Sequence, residues 1–427
     1  MNDKLISFCI ATAKNEKHYL ELLLNSLKIN LYNKNHEIII FIDSDNQNTE
    51  NWLLTQKSHF KDIIIIKNTC KIPIGSQINV TYMFAKAKHD IVCYLQSDMV
   101  ISEHLDKHIL DSINENTIVS ITRIEPPVHP EAPEKIVKNF GTVPDEFNYN
   151  EFIAYSNSIK SPKITEFYFA PFALYKKKWL EIGGYDTWFR ASREDTDILL
   201  RLSLLGVKFI QIWSTFVYHF TCVSSRCPQF WLEKNKEKEE LRKTTDIIEV
   251  RKFLYKWKRF DHTTNAEKLY KYNVSANIKN SVSNPDFILD NYYLFEKIVV
   301  DNEQICDSLL KEFETQSLLY NLRAHIDISD WKKYSYLYRK DGGKFNKTPT
   351  SIENDDIILN LDLNMVDQNI YNNLSNLQDI LHSSLNEGDT GEYELDGLNI
   401  KVNNFRNRIC DNIYCKNPPI DLKFNIL

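Results

Sequence analysis

The sequence predicts an α/β chain: a mostly parallel central sheet with helices on both faces, followed by a smaller α+β module. Three observations carry this reading. Four short apolar runs, Leu5 to Ala11, Glu37 to Ile42, Asp62 to Ile66 and Ile91 to Leu95, have the length and β-branching of strands buried on both faces. Helix-like stretches separate them, with Tyr19, Leu20, Leu23, Leu24, Leu27 and Leu31 at helical spacing in Lys17 to Leu31, and Ile78, Met83 and Ala85 in Gln77 to Lys88. The composition, 427 residues of which 43% are hydrophobic and 12% aromatic with only 10 Gly and 13 Pro, provides a full core and excludes disordered and low-complexity classes.

The elements follow in order. The first strand runs into Thr12-Ala13-Lys14-Asn15-Glu16, the second into Asp43-Ser44-Asp45, and the fourth into Gln96-Ser97-Asp98. In parallel sheets ligands bind beyond the carboxyl ends of the strands, so these polar ends face the expected crevice. Taken singly, Thr12, Asn15, Asp43 and Asp98 also suit helix caps and turns. A Pro-marked region from Glu125 to Pro144 reads as loops over the sheet. Then come Ile182-Gly183-Gly184-Tyr185-Asp186-Thr187-Trp188-Phe189, the acidic helix start Glu194-Asp195-Thr196-Asp197, a helix over Ile198 to Leu205, a strand over Val207 to Trp213, and His219. Acidic residues at a helix start also complement its dipole, and Asp197 and Arg201, four apart, suit a structural pair.

From Trp231 to Phe260 the pattern is a charged helix expected to close the first domain. The Asn-rich stretch that follows reads as a linker. The expected division is therefore a catalytic-type domain over 1–262, a linker over 263–285 and a separable accessory domain over 286–427. The last segment holds helix-like pieces (Asn302 to Phe313, Val366 to Leu385) and strand-like ones (Ile357 to Leu361, Tyr393 to Leu395, Leu398 to Val402), but no motif of its own.

Charge and cysteine usage narrow the setting. Lys+Arg 52 against Asp+Glu 58 gives a net charge of −6, and only 12 of the cations are Arg, a poor footing for nucleic-acid binding. No run approaches a membrane span of ~18 apolar residues. The first residues lack the layout of a signal peptide. Eight scattered cysteines, several in apolar runs, read as small core residues in a reducing, cytoplasmic setting.

The order of these pieces resembles the inverting family 2 glycosyltransferases of the GT-A fold over roughly residues 4 to 222: strand ends at Thr12 to Glu16, Asp43 and Ser97-Asp98, then Gly183-Gly184-Tyr185-Asp186, Glu194-Asp195-Thr196-Asp197 and His219. The resemblance implies a hexosyltransferase-type enzyme that uses a nucleotide-sugar donor, most often UDP-linked, and a glycan or other hydroxyl acceptor. By position it implies that Thr12, Asn15, Glu16, Asp43 and Ser97 line the nucleotide pocket, and that Asp98, the last Asp of the family's Asp-x-Asp motif, ligates Mn²⁺ or Mg²⁺. It implies Asp195 as the base, with Glu194 positioning the acceptor or supporting the base. Trp188 and Tyr185 each suit a sugar platform or packing against the following helix; sugar contact is expected for Trp188 and packing for Tyr185. Gln96 stands where the family has its first Asp, which bears on metal affinity and nucleotide choice. His219 matches a metal-binding His of some GT-A enzymes, and equally suits a half-buried strand histidine; a zinc site with Cys222 and Cys227 is a third reading.

Two other classes compete. A nucleotidyltransferase would carry a Gly-rich phosphate loop after the first strand, and Ala11-Thr12-Ala13-Lys14-Asn15 has no glycine. A non-catalytic carbohydrate-binding protein on a decayed fold is suggested by Gln96 and opposed by the retention of Asp98 and Asp195. The distal module is expected to recognise the acceptor or to mediate assembly, as a homo-oligomer.

Overall fold

The computed structural model describes residues 4–70, 73–189, 192–221, 236–259, 269–302, 304, 305, 308, 352–406 and 423–427. The chain forms two units, one from Met1–Thr187, Leu205–Glu239 and Cys415–Leu427, the other from Trp188–Leu204 and Glu240–Tyr414.

In the first unit the four apolar runs become β1 (Ile6–Thr12), β2 (Glu37–Ile42), β3 (Ile63–Lys67) and β4 (Ile91–Gln96), parallel in the order β3-β2-β1-β4. The crossovers are α1 (Lys17–Asn30), α2 (Thr49–Gln56) and α3 (Ser76–Lys86). The leucine spacing of α1 decides which face is inward: Leu20, Leu23, Leu24 and Leu27 are buried on the sheet's core cluster.

Beyond β4 the sheet continues through β5 (Met99–Ile101), α4 (Leu105–Ser112), β6 (Thr117–Glu125), β7 (Lys135–Val137), α5 (Tyr149–Ser158), β8 (Ile164–Thr165), β9 (Phe172–Tyr175) and α6 (Lys176–Glu181). A helix α7 (Glu194–Leu204) then leads to the long strand β10 (Lys208–His219). β9 is antiparallel to both β4 and β6, which makes β6 parallel to β4; β10 is parallel to β6. The ends of β1, β2, β4, β6 and β10 thus open on the same edge. This mixed α/β architecture, a mostly parallel sheet with the reversed strand β9 set between β4 and β6, is the fold class expected.

The Gly183-Gly184-Tyr185 segment turns back onto α3. Thr81 Oγ1 accepts from Trp179 Nε1 at 3.3 Å and from the Tyr185 backbone N–H at 3.2 Å. A Cβ on Gly184, whose φ is +69°, would sit 2.2 Å from Thr81 Oγ1 and 2.7 Å from Trp179 Nε1, so only glycine fits there. Tyr185 packs edge-on to Trp179, in the core as expected.

The second unit begins with Trp188, Phe189 and α7, and takes in most of α8 (Lys236–Trp257). Its sheet comprises β11 (Val274–Lys279), β12 (Lys297–Val300), β13 (Ile357–Asp362), β14 (Gly391–Leu395) and β15 (Leu398–Val402) in the order β12-β11-β13-β15-β14. The first three are parallel, and β15 and β14 close the sheet antiparallel. Helices α9 (Pro285–Asn291), α10 (Gln368–Ser375) and α11 (Leu377–Ser384) accompany it, the last two replacing the single helix expected over Val366 to Leu385.

Two differences from the sequence reading stand out. β11 lies inside the stretch expected as a linker, yet it is flanked by strands on both sides, with Val274, Ala276 and Ile278 buried. And α8 does not close the first domain: Phe253, Leu254 and Trp257 join Trp188, Phe189 and Leu200 in one core cluster with Val274, Leu359 and Ile400 of the second sheet. Much of Asn302 to Phe313, together with Cys222, Cys227 and the start of the charged helix at Trp231, lies outside the described residues.

The final strand, β16 (Asn425–Ile426), returns to the first unit. It pairs antiparallel with β3, and Phe424 packs edge-on against Phe41 and Tyr82.

Candidate functional site

The loops after β1 and β2 are knitted together. Asn15 adopts a left-handed φ of 66°; its N–H donates to Asn46 Oδ1 at 2.9 Å, and Asn46 Nδ2 donates back to Asn15 Oδ1 at 2.8 Å. Glu16 Oε2 accepts from the Ala13 N–H at 2.7 Å and from Ser97 Oγ at 2.6 Å, which ties the ends of β1 and β4. Thr12 closes β1 with its hydroxyl buried and without a hydrogen-bond partner among the described residues. The sequence-selected set Thr12, Asn15, Glu16 and Ser97 is therefore one contiguous rim.

Asp43 serves the neighbouring loop. Oδ1 accepts from the Ile74 N–H at 2.8 Å and Asn68 Nδ2 at 3.0 Å, and Oδ2 from the Gly75 N–H at 2.9 Å. Burial raises the Asp43 carboxyl above its ordinary range, and these donors pull against that rise. The carboxylate shapes the approach to α3 before any ligand arrives.

At the far side of the edge, strand pairing assembles a charged cluster. β10 pairs antiparallel with β5, His219 opposite Met99, so Asp98 comes beside His219. On its other flank β10 pairs with β6, and there the register shifts between Ile212 and Phe216. Continuing the Ile212–Ile121 register would bring Phe216 to Glu125; the bulge brings His219 there instead. The resulting geometry is a histidine between two carboxylates. Nε2 is 3.6 Å from Asp98 Oδ2 and Nδ1 is 3.0 Å from Glu125 Oε1. Asp98 is 8% exposed, His219 9% and Glu125 2%.

Glu125 has further partners. Lys135 Nζ is 2.9 Å from Oε2, brought there by the β6–β7 pairing, and Arg123 Nε is 3.2 Å from Oε1. The Arg123 guanidinium lies 4.1 Å from the centre of the Phe169 ring. Burial alone would raise the Glu125 carboxyl, but His219, Arg123 and Lys135 outweigh it and bring it down to about 2. Glu125, Arg123 and Lys135 escaped the sequence reading. Their one signal is the alternation Arg123-Ile124-Glu125, which puts both charges on one face of a strand.

Glu194 and Asp195 stand in the first turn of α7, in the second unit. Asp195 is exposed, and its Oδ1 accepts from the Thr196 N–H at 2.7 Å. Asp197 is buried: its carboxylate takes Arg201 Nε at 2.8 Å, Lys256 Nζ at 2.5 Å and Trp257 Nε1 at 2.9 Å. The expected Asp197–Arg201 pair is thus the centre of a network that fastens α7 to α8. Trp188, expected against a sugar, is 6% exposed; its ring packs with Phe189 and Tyr255, and its carbonyl accepts from Lys252 Nζ at 2.9 Å. The ring stands in the core cluster of the second unit.

The buried thiols are chemically quiet, since burial raises both Cys9 and Cys93 above the ordinary thiol range. Among the described residues no group of three or more His, Cys, Asp or Glu is arranged to hold a metal by itself. No helix among them is long and apolar enough to cross a membrane.

Comparison with known proteins places residues 8–183 on the model of glycosyl transferase family 2. No curated protein matches the sequence. Among solved structures, the chain is similar to GalNAc-T7 with UDP, GalNAc and Mn²⁺, at 14% identity and a TM-score of 0.40 over 51% of this chain. It is also similar to the mannosyltransferase PcManGT of Pyrobaculum calidifontis in complex with GDP-Man and Mn²⁺ (14% identity, TM-score 0.36, 57% of this chain) and to TarS of S. aureus (14%, 0.39, 78%). The alignments span 44% of the GalNAc-T7 chain, 64% of PcManGT and 55% of TarS.

Proposed function

We infer that this chain, whose residues 8–183 match glycosyl transferase family 2, moves a sugar from a UDP-linked donor to a hydroxyl of a glycan or similar acceptor. The transfer inverts the anomeric centre and depends on Mn²⁺ or Mg²⁺.

The observation that carries the metal dependence is the 3.6 Å between Asp98 Oδ2 and His219 Nε2. That is longer than a hydrogen bond of ~3.2 Å, and it sets an oxygen and a nitrogen donor side by side on the edge where ligands bind. The donor set fits a divalent cation that takes its remaining ligands from a diphosphate, and an imidazole nitrogen favours Mn²⁺ over Mg²⁺. Once bound, such a cation supplies charge stabilisation for the departing nucleoside diphosphate.

The chain's own residues do the rest. Asp98 and His219 would hold the cation, and Gln96 stands where the family has its first Asp. The rim from Thr12 to Glu16, pinned to Ser97, supports the nucleoside, and the Thr12 hydroxyl has hydrogen-bonding capacity to offer it. Asp43 keeps Ile74 and Gly75 in place and uses its remaining lone pair toward the base. Asp195, exposed at its helix start, takes the proton from the acceptor hydroxyl as that oxygen attacks the anomeric carbon, and Glu194 supports it.

A panel of nucleotide sugars incubated with the protein and Mn²⁺, with release of nucleoside diphosphate followed over time, tests the reading. One donor should be hydrolysed slowly without acceptor, with activity lost on chelation and restored by Mn²⁺. If no donor is hydrolysed and none binds, with or without the metal, the reading fails.

A further inference from the structure

The charged cluster contains a residue to which the transfer reaction as derived gives no task. Glu125 lies on the opposite side of the His219 ring from Asp98, with Oε1 3.0 Å from Nδ1. An ionised carboxylate has no proton to give, so in a neutral imidazole Nδ1 carries the hydrogen and donates it to Glu125. Nε2 is then the nitrogen with the lone pair, and it is the nitrogen that faces Asp98. Left alone, a neutral histidine can place its proton on either nitrogen, and a proton on Nε2 would block that atom as a ligand.

The geometry points to Glu125 as a positioning residue for the proposed metal site. It fixes the His219 ring in the Nδ1–H form and aims Nε2 at the cation held with Asp98. The proposal rests on the metal reading above but concerns a different residue. Three features support it. Glu125 is more deeply buried than the groups it serves, so water competes little for the Nδ1 proton. Lys135 and Arg123 flank its carboxylate and keep it an acceptor. And the β10 bulge, which sets the local register, is what brings the histidine to this glutamate. Carboxylate partners of this kind typically change metal affinity ~10–100-fold when removed.

The test measures the ring itself. In full-length protein labelled with ¹⁵N-histidine, at about pH 9 where ordinary imidazoles are neutral, the His219 signals, assigned by their loss in His219→Gln, should report the Nδ1–H tautomer. Glu125→Ala should move the ring to a mixture or to Nε2–H and weaken Mn²⁺ binding, followed by electron paramagnetic resonance, by ~10–100-fold. Glu125→Gln, whose Oε1 still accepts, should restore the tautomer and most of the Mn²⁺ affinity. An Nε2–H tautomer in the native protein overturns the proposal, as does a Glu125→Ala protein with native tautomer and native affinity. If Glu125→Ala does not fold, the native tautomer and the Glu125→Gln protein decide the matter. If the native protein binds no Mn²⁺ yet shows a tautomer that depends on Glu125, the metal reading fails while the positioning of the ring stands.

Discussion

Asp98 and His219 lie 121 residues apart in the sequence and 3.6 Å apart in the structure, joined by the pairing of β5 with β10. Neither bears a hydrogen bond to the other at that distance. If a cation completes the contact, Asp98→Asn should weaken UDP binding only when Mn²⁺ is present, and reduce transfer by ~10²-fold or more. Calorimetric titration of UDP with and without the metal checks it. Equal affinity of the native protein in both conditions would leave Asp98 without this role.

The base assignment predicts a different pattern. Asp195→Asn preserves size and keeps an oxygen for the Thr196 N–H, but it cannot take a proton. Turnover should fall ~10²-fold or more with donor affinity unchanged. A variant turning over at the native rate would move the base to another residue.

Asp197 should behave as a structural residue, although it sits two positions from Asp195. Its carboxylate receives Arg201, Lys256 and Trp257, all buried. Asp197→Ala removes an anion that two buried cations share, and should cost about 3–5 kcal/mol in denaturant unfolding. Asp195→Ala, at an exposed position, should change stability by less than ~0.5 kcal/mol. Similar losses for the two would mean that the network carries little of the fold.

These contrasts show where the sequence was readable. The four parallel strands announced themselves because a strand buried on both faces is apolar at every position, as in Ile38 to Ile42. Thr12, Asn15, Glu16 and Ser97 could be grouped because each follows a strand directly, and strand ends share an edge. Glu125 could not be placed beside His219, since that neighbourhood depends on a register shift that no local pattern encodes. β11 was hidden by its Asn-rich flanks, although Val274-Ser275-Ala276-Asn277-Ile278 alternates at strand period. At Trp188 the local pattern is ambiguous, because an aromatic residue after a glycine turn suits a sugar platform and a core alike.

A pH effect should come from Lys258. Its ammonium is buried, 3.0 Å from the Tyr293 carbonyl and 3.4 Å from Glu296 Oε1. Burial lowers it to about 7, against the opposing pull of Glu296. A lysine lowered in the folded state binds its proton more weakly there than in the unfolded chain, so stability rises with pH between about 7 and the ordinary lysine value of ~10.4. The native protein should therefore gain stability over that window relative to Lys258→Met, which lacks the group; the difference between their unfolding midpoints from pH 7 to 9.5 measures it. Parallel curves would mean that the ion pair holds the lysine at its ordinary value.

The last prediction concerns truncation. A chain ending after residue 260 would look, from the sequence, like a complete first domain released from a linker. In the structure it would lose two things at once. The removal of β16 strips β3 of its antiparallel partner and takes Phe424 from Phe41 and Tyr82. The removal of β11, β13 and β15 leaves Trp188, Phe189, Leu200, Phe253, Leu254 and Trp257 without the sheet that completes their core. Each large apolar side chain exposed forfeits ~1.5–3 kcal/mol, and six of them exceed what a marginally stable domain can lose. We therefore expect the shortened protein to be insoluble or to bind hydrophobic dye, and the same chain with 188–204 replaced by a short polar loop to do no better, because the β3 edge remains open. Limited proteolysis and a melting curve on the shortened protein decide the point. A cooperative melt with retained UDP binding would restore residue 260 as a domain boundary.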